Sequence, residues 1–397
     1  MTKPLWLTVT VIGAVLLAPP AIAQTIVTSF APSTNVTPKV WFENDVRPGG
    51  SASIVDLTGE GGDLEFSQPL PKGAAKLTTD FTNAAKAEVA VLDTYGKPQD
   101  IFSTISLAYS YYKATNAGNN TFAAPSIKLT FFNSVCDDPA SAGDCFFTLI
   151  YEPYWNGSNG PGVVTAPPLD TWTSVAIDDT TGVFWTSGGF GLANGAGGPP
   201  FYTLAGALAA ASSDFADSDL LAVSMGVGTF NQGQIDYFDD VSIDISGTGY
   251  SESYDFEPPG PSLACQGFEP PMNLAYLPPA VGGGLIARKV KRNRVLPFKA
   301  TLVDGDGNIV TDLVSPPVIQ VVYQAVPMGA VVDVTADALV NGKGTDGNQF
   351  ELAGDRWQFN LRTKNYSAAG TYTGTMVSGD VTEYVVDPTC EGVFVIE

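Results

Sequence analysis

Ile105-Ser106-Leu107-Ala108-Tyr109-Ser110-Tyr111 sets an apolar residue at every second position, with small or polar residues between. A β-strand turns successive side chains to opposite faces, so Ile105, Leu107, Tyr109 and Tyr111 share one face and predict a half-buried strand. The same period recurs along the chain. Ile127, Leu129 and Phe131 form one face, and Phe147, Leu149 and Tyr151 another. Val175 with Ile177 continues it, followed by Val223, Met225 and Val227, and then Val241, Ile243 and Ile245. Turn residues separate these runs, and a Gly/Ala/Pro-rich stretch from Ser187 to Pro200 reads as a long loop. The best helical candidate, Leu204 to Ala211, is short and Ala-rich. The fold class is therefore all-β, and about ten strands suggest a jelly roll or a related two-sheet sandwich for the first domain.

The N-terminus reads as an export signal. Lys3 supplies a positive start, an apolar run follows from Leu5 to Leu17, and Ala21-Ile22-Ala23 offers the small residues of a cleavage site. The apolar run is shorter than the ~20 residues a spanning helix needs. Residues 1–23 are thus a signal peptide, cleaved before Gln24. Downstream apolar stretches are broken by Gly, Pro or charge, so no membrane span is expected. The exported protein is expected outside the cytoplasm, secreted or periplasmic.

Three further segments complete the division. Residues 24–247 form the jelly-roll domain, 248–264 an extended linker rich in Pro, Ser and Glu, and 265–397 a second β domain. Four cysteines in an exported chain predict disulfides, and four allow three pairings. The local pairing joins Cys136 to Cys145 across a hairpin loop. Cys265 and Cys390 then clamp the two ends of the second domain.

Net charge is −22, and it is uneven. Residues 24–264 carry 8 basic and 27 acidic residues, whereas 265–397 carry 10 basic and 14 acidic. So acidic a surface disfavours nucleic acid and anionic lipid as partners. The cluster Arg288, Lys289, Lys291, Arg292 and Arg294 stands out against it. It reads first as a solvated edge strand, where basic residues discourage sheet-to-sheet pairing.

Two resemblances follow. Trp41-Phe42-Glu43-Asn44 is similar to the opening "FEn" element of secreted bacterial jelly-roll domains, including carbohydrate-binding modules. Ile235-Asp236-Tyr237-Phe238-Asp239-Asp240-Val241-Ser242-Ile243 is similar to their closing "aDDV.i" element. The second domain resembles the PxKF family of immunoglobulin-like domains. The matching residues are Gly267-Phe268-Glu269-Pro270-Pro271, Val295-Leu296-Pro297-Phe298-Lys299, Asp346-Gly347-Asn348, Trp357-Gln358-Phe359-Asn360 and Ala369-Gly370-Thr371-Tyr372. The second resemblance implies an immunoglobulin-like sandwich that acts as a spacer or display unit. The first implies a glycan or other extracellular surface as partner. It also implies a structural calcium ion where the first-strand acid meets the last-strand Asp, with Glu43, Asp45, Asp239 and Asp240 as the ligand candidates.

The chain contains no histidine, which excludes Ser-His-Asp and Cys-His mechanisms and His-ligated metals. No catalytic residue is assigned. Glu152, within Tyr151-Glu152-Pro153-Tyr154-Trp155, is the acid most embedded among aromatics, and a carboxylate-based polysaccharide enzyme is the third reading. Asp304-Gly305-Asp306-Gly307-Asn308 fails the EF-hand pattern, with Ile309 where the loop needs Gly, and reads as a turn. Among aromatics that could stack on sugar rings are Tyr111, Tyr112, Trp172 and Trp185. The ligand-binding candidates are Tyr151 and, in a following loop that joins rings to amide donors, Tyr154, Trp155 and Asn156; the alternative is that the rings fill the core. The sequence thus points to a non-catalytic glycan-binding protein, with a structural or adhesive matrix protein as the alternative.

Overall fold

One face of each alternating run is buried, and the resulting strands close two sheets over a shared interior. The computed structural model describes residues 24–116, 118–134, 145–195, 198–273, 276–277, 284–285, 287–325, 329–338 and 347–397. The segment read as a signal peptide and Cys136 lie outside them. In the first domain the strands are β1 Gln24–Val27, β2 Trp41–Glu43, β3 Gly50–Asp56, β4 Gly73–Thr79, β5 Ala87–Gly96, β6 Ile105–Lys113 and β7 Ser126–Phe132. They continue as β8 Phe146–Tyr151, β9 Trp172–Ile177, β10 Phe184–Thr186, β11 Asp219–Val227, β12 Ile235–Ile245 and β13 Tyr250–Phe256. One sheet runs β1-β13-β12-β4-β3, with β6 also paired to β12 and β9 to β6; the other runs β10-β8-β7-β11-β5-β2. This is the jelly-roll type of sandwich.

All the alternating faces singled out in the sequence lie in the shared interior. Phe102, Phe131, Phe147, Phe190 and Phe215 pack ring against ring there. Trp41 packs among Phe238, Tyr254 and Phe256. The Ala-rich segment forms a helix over Leu204–Ala210, capped by Thr203, whose hydroxyl accepts from the Gly206 N–H. Among the described residues no helix is long and apolar enough to cross a membrane.

The segment read as a linker is largely not one. Residues 250–256 form β13, antiparallel to β12 and parallel to β1. Its Ser and Glu content suggested an extended spacer, but Tyr254 and Phe256 are buried in the sandwich. Backbone pairing on both sides supplies the hydrogen bonds that its polar sequence did not advertise.

The Asp239-Asp240 pair marks a change of partner. β12 pairs with β4 through Phe238 and with β13 from Val241 onward. Its register against β6 shifts between Asp239 and Ser242, and Asp240 takes a left-handed φ of 53°. This is a β-bulge, which bends the strand and leaves a local gap in the ladder. Asp239 Oδ1 fills part of that gap by accepting from the Phe256 N–H at 3.1 Å.

The second domain is a smaller β-sandwich. A five-stranded sheet joins residues 288–290, 391–396, 371–377, 318–324 and 331–333, and a three-stranded sheet joins 295–300, 356–362 and 351–353. Phe268, Phe298, Phe350, Phe359 and Phe394 form its interior. Cys265 and Cys390 are disulfide-bonded, with Cα atoms 5.5 Å apart. Cys145 is also disulfide-bonded. The Asp304 carboxylate accepts from the Asp306 and Asn308 N–H groups, as a turn requires.

Candidate functional site

Alternation that buries one face of β7 must present the other. Ile127, Leu129 and Phe131 enter the core, so Ser126, Lys128 and Thr130 lie on the outer face of the six-stranded sheet. Register sets their neighbours. Lys128 lies between Ser224 of β11 and Ile150 of β8; the row extends to Ala90 and Phe42 on one side and Trp185 on the other. Two residues along, Ser126, Gly226 and Glu88 form the next row. Gly226 is required there: a Cβ on it would sit 2.9 Å from the Glu88 Cβ and 3.0 Å from the Ala87 carbonyl oxygen. Without that Cβ, the Glu88 side chain crosses β11 to reach Lys128.

The result is a chain of alternating charge. Arg47 donates to both oxygens of Asp45, at 2.9 and 2.7 Å. Lys86 Nζ lies 2.7 Å from Asp45 Oδ2 and 2.9 Å from Glu88 Oε2. Lys128 pairs with the same Glu88 oxygen. Asn44, from the "FEn" element, donates to the other Glu88 oxygen at 2.8 Å. Burial pushes the Glu88 carboxyl up, but the ammonium groups of Lys128 and Lys86 outweigh it and hold it down at about 2. Hydrogen bonding from Arg47 holds the Asp45 carboxyl well below the usual carboxylate range.

Over this floor lies a groove of about 610 Å³. Glu152, Tyr154 and Trp185 line it on the β8–β10 side, and Asn120, Phe230 and Asn231 on the other, with Arg47, Lys86 and Lys128 between. The Phe230 ring is 66% exposed, held out by a left-handed φ of 65°. The amide wall is braced from the interior. Asn120 donates to the Asn231 side-chain oxygen at 2.9 Å, and buried Lys113 donates to the Asn120 carbonyl at 2.9 Å and to Gln234. Burial raises the Glu152 carboxyl above its ordinary value; nearby Tyr154, Trp185 and Lys128 offset part of that push. Its Oε2 is buried without a hydrogen-bond partner among the described residues.

The structure divides the ligand-binding residues expected from the sequence. Tyr154 faces the groove. Trp155 packs between Tyr154 and Phe201, with ring centroids 4.9 and 4.8 Å away. Tyr151 and Asn156 line a separate cavity of about 430 Å³, with Tyr111 and Pro153. The Asn156 amide donates to the Glu152 and Val183 carbonyls and accepts from the Val183 N–H, so it ties its own loop to the strand beside it. Trp172 packs with Tyr112 on the outer face of the other sheet, and its indole donates to the Leu64 carbonyl.

The four residues expected to hold calcium do not meet. Asp45 is engaged by Arg47 and Lys86. Asp239 instead lies near Asp255 and Glu257; burial chiefly pushes its carboxyl up to about 8, and those two charges add to the push. Among the described residues no group of three or more ligating side chains is placed to hold a metal ion. Glu43 ends β2 and is half-buried, and Asp240 is half-buried in the bulge.

Sequence reading missed Arg47, Lys86, Glu88, Lys128, Asn120, Phe230 and Asn231. One signal was present: Lys128 occupies the middle of an alternating strand in a domain with only 8 basic residues.

No protein-family model matches the chain, and no curated protein does. Similar solved structures include the family 11 carbohydrate-binding module of a cellulosomal cellulase from Clostridium thermocellum. That match has 10% identity and a TM-score of 0.28, over 56% of this chain and 95% of that one. The family 11 module from the same organism, in complex with a β-1,3-1,4-mixed-linked tetrasaccharide, matches at 10% identity and a TM-score of 0.28, over 54% and 94%. An endo-β-1,4-glucuronan lyase from the fungus Trichoderma reesei matches at 13% identity and a TM-score of 0.29, over 54% and 98%. Likenesses this slight assign neither family nor activity, and function rests on the chain's own residues.

Proposed function

We propose that this is an exported glycan-binding protein whose ligand lies in the groove on the outer face of the six-stranded sheet. A sugar ring has an apolar C–H face and a polar rim, so its site needs a flat aromatic surface beside hydrogen-bonding groups. The observation that carries the reading is the groove's two walls: Tyr154 and Trp185 on one side, Asn120 and Asn231 on the other. Ser126 and Glu152 add a hydroxyl and a carboxyl. The second sandwich then serves as a spacer that displays the first.

Binding of the purified chain to a panel of soluble and insoluble polysaccharides tests this. Saturable binding that Tyr154→Ala and Trp185→Ala each weaken by about tenfold, the loss of one stacking contact, supports the groove. Binding that both substitutions leave unchanged places the ligand elsewhere, and failure to bind any member favours a structural role in an extracellular matrix.

A further inference from the structure

We infer that the glycan taken by the groove is anionic, bearing carboxylate or sulfate groups that meet Arg47, Lys86 and Lys128. The inference rests on the glycan-binding reading and deepens it. Residues 24–264 carry 8 basic against 27 acidic residues, so most of this domain repels a negative polymer. Three of those eight cations line one groove. They are held by two carboxylates, Asp45 and Glu88, so the ion chain keeps one unit of positive charge in excess.

The lysines are costly residues to put there. The side chains of Lys86 and Lys128 are each only 14% exposed, and Glu88 is 6% exposed. Removing such charges from water outweighs much of what their pairing returns, and an apolar row would pack at least as well. A ligand requirement accounts for the expense. Asp45 and Glu88 fix the direction of each cation, so little freedom is lost when a ligand binds. Glu152 also lines the groove; burial pushes its carboxyl above its ordinary value, which lessens its opposition to an incoming anion. A neutral glycan uses the aromatic and amide walls but gives the third cation no partner.

The decisive experiment measures affinity of the intact chain for a polyuronate, for dextran sulfate and for a neutral β-glucan, at low and at physiological ionic strength. The protein's net charge of −22 works against nonspecific capture of an anionic polymer. The expected result is preference for one of the two anionic polymers, with affinity that falls as salt rises; which of them binds separates carboxylate from sulfate. Lys128→Met weakens that binding by about tenfold, as loss of a charge-assisted contact does, whereas Lys128→Arg largely retains it. Arg47→Gln, at the exposed rim, repeats the loss without disturbing the buried pair, should Lys128→Met fold poorly. Salt-independent binding of the neutral glucan, equal to or tighter than that of both anionic polymers, overturns the charge inference and leaves the glycan reading standing. No binding of any of the three overturns both.

Discussion

Replacing Asp236 with Asn is expected to make the protein more stable, by a margin that widens as pH rises from about 4 to about 7. Asp236 is fully buried on β12, and neither carboxyl oxygen has a hydrogen-bond partner among the described residues. Burial pushes its carboxyl up to about 7 from 3.8, and Lys113, its cross-strand neighbour, offsets only part of that. The native state therefore holds a proton that the unfolded chain releases at lower pH. Stability falls as pH rises from about 4 to about 7 and is level above that. Three pKa units correspond to ~4 kcal/mol, more than half of which falls between pH 5 and pH 8. Asn has nearly the same shape and no charge to desolvate, so the variant escapes this loss. Urea unfolding of both proteins at pH 5 and pH 8 gives four free energies. The variant's advantage should grow by about 2–3 kcal/mol between the two pH values. An advantage that is the same at both would falsify the reasoning, because a merely better-packed Asn shows no pH dependence.

Glu88 makes the opposite contribution. Its carboxyl is held down to about 2, so the stability it provides is present above about 4.5 and is lost as pH falls toward 2. Glu88→Gln leaves Lys86 and Lys128 buried without their shared anion and should cost ~3–5 kcal/mol at neutral pH; a cost below ~1 kcal/mol in chemical denaturation would show the pair to be well solvated. The Cys265–Cys390 bridge spans 125 residues, and on the chain-entropy model its removal by paired Ser substitutions lowers stability by ~5 kcal/mol. Calorimetry should show that loss in the second domain's transition, with the first domain's transition unmoved. Trp41→Ala empties a site walled by Phe238, Tyr254 and Phe256 and should cost ~3–5 kcal/mol; a cost near zero would mean that the edge strand it anchors contributes little to the fold.

Period-two alternation alone determined which side chains enter the first core, because strand geometry makes the face of residue i the face of i+2. Every run named from the sequence, from Ile105 to Ile245, lies in that interior. The pairing of Cys265 with Cys390 was likewise legible from number and position. Two readings meet the same limit. Residues 250–256 look like a spacer, and Asp239-Asp240 looks like half of a cation site, because composition cannot show which backbone will lie beside them. Pairing with β1 and β12 made the first a strand, and a change of partner made the second a bulge. The groove belongs wholly to tertiary structure. Arg47, Lys86, Lys128, Glu152, Trp185 and Asn231 come from separate loops and strands, and only sheet order and register bring them to one face. Alternation states that Lys128 must face away from the core; it carries no information about what stands beside it, because neighbours across a sheet are set by hydrogen-bond register between segments distant in the chain.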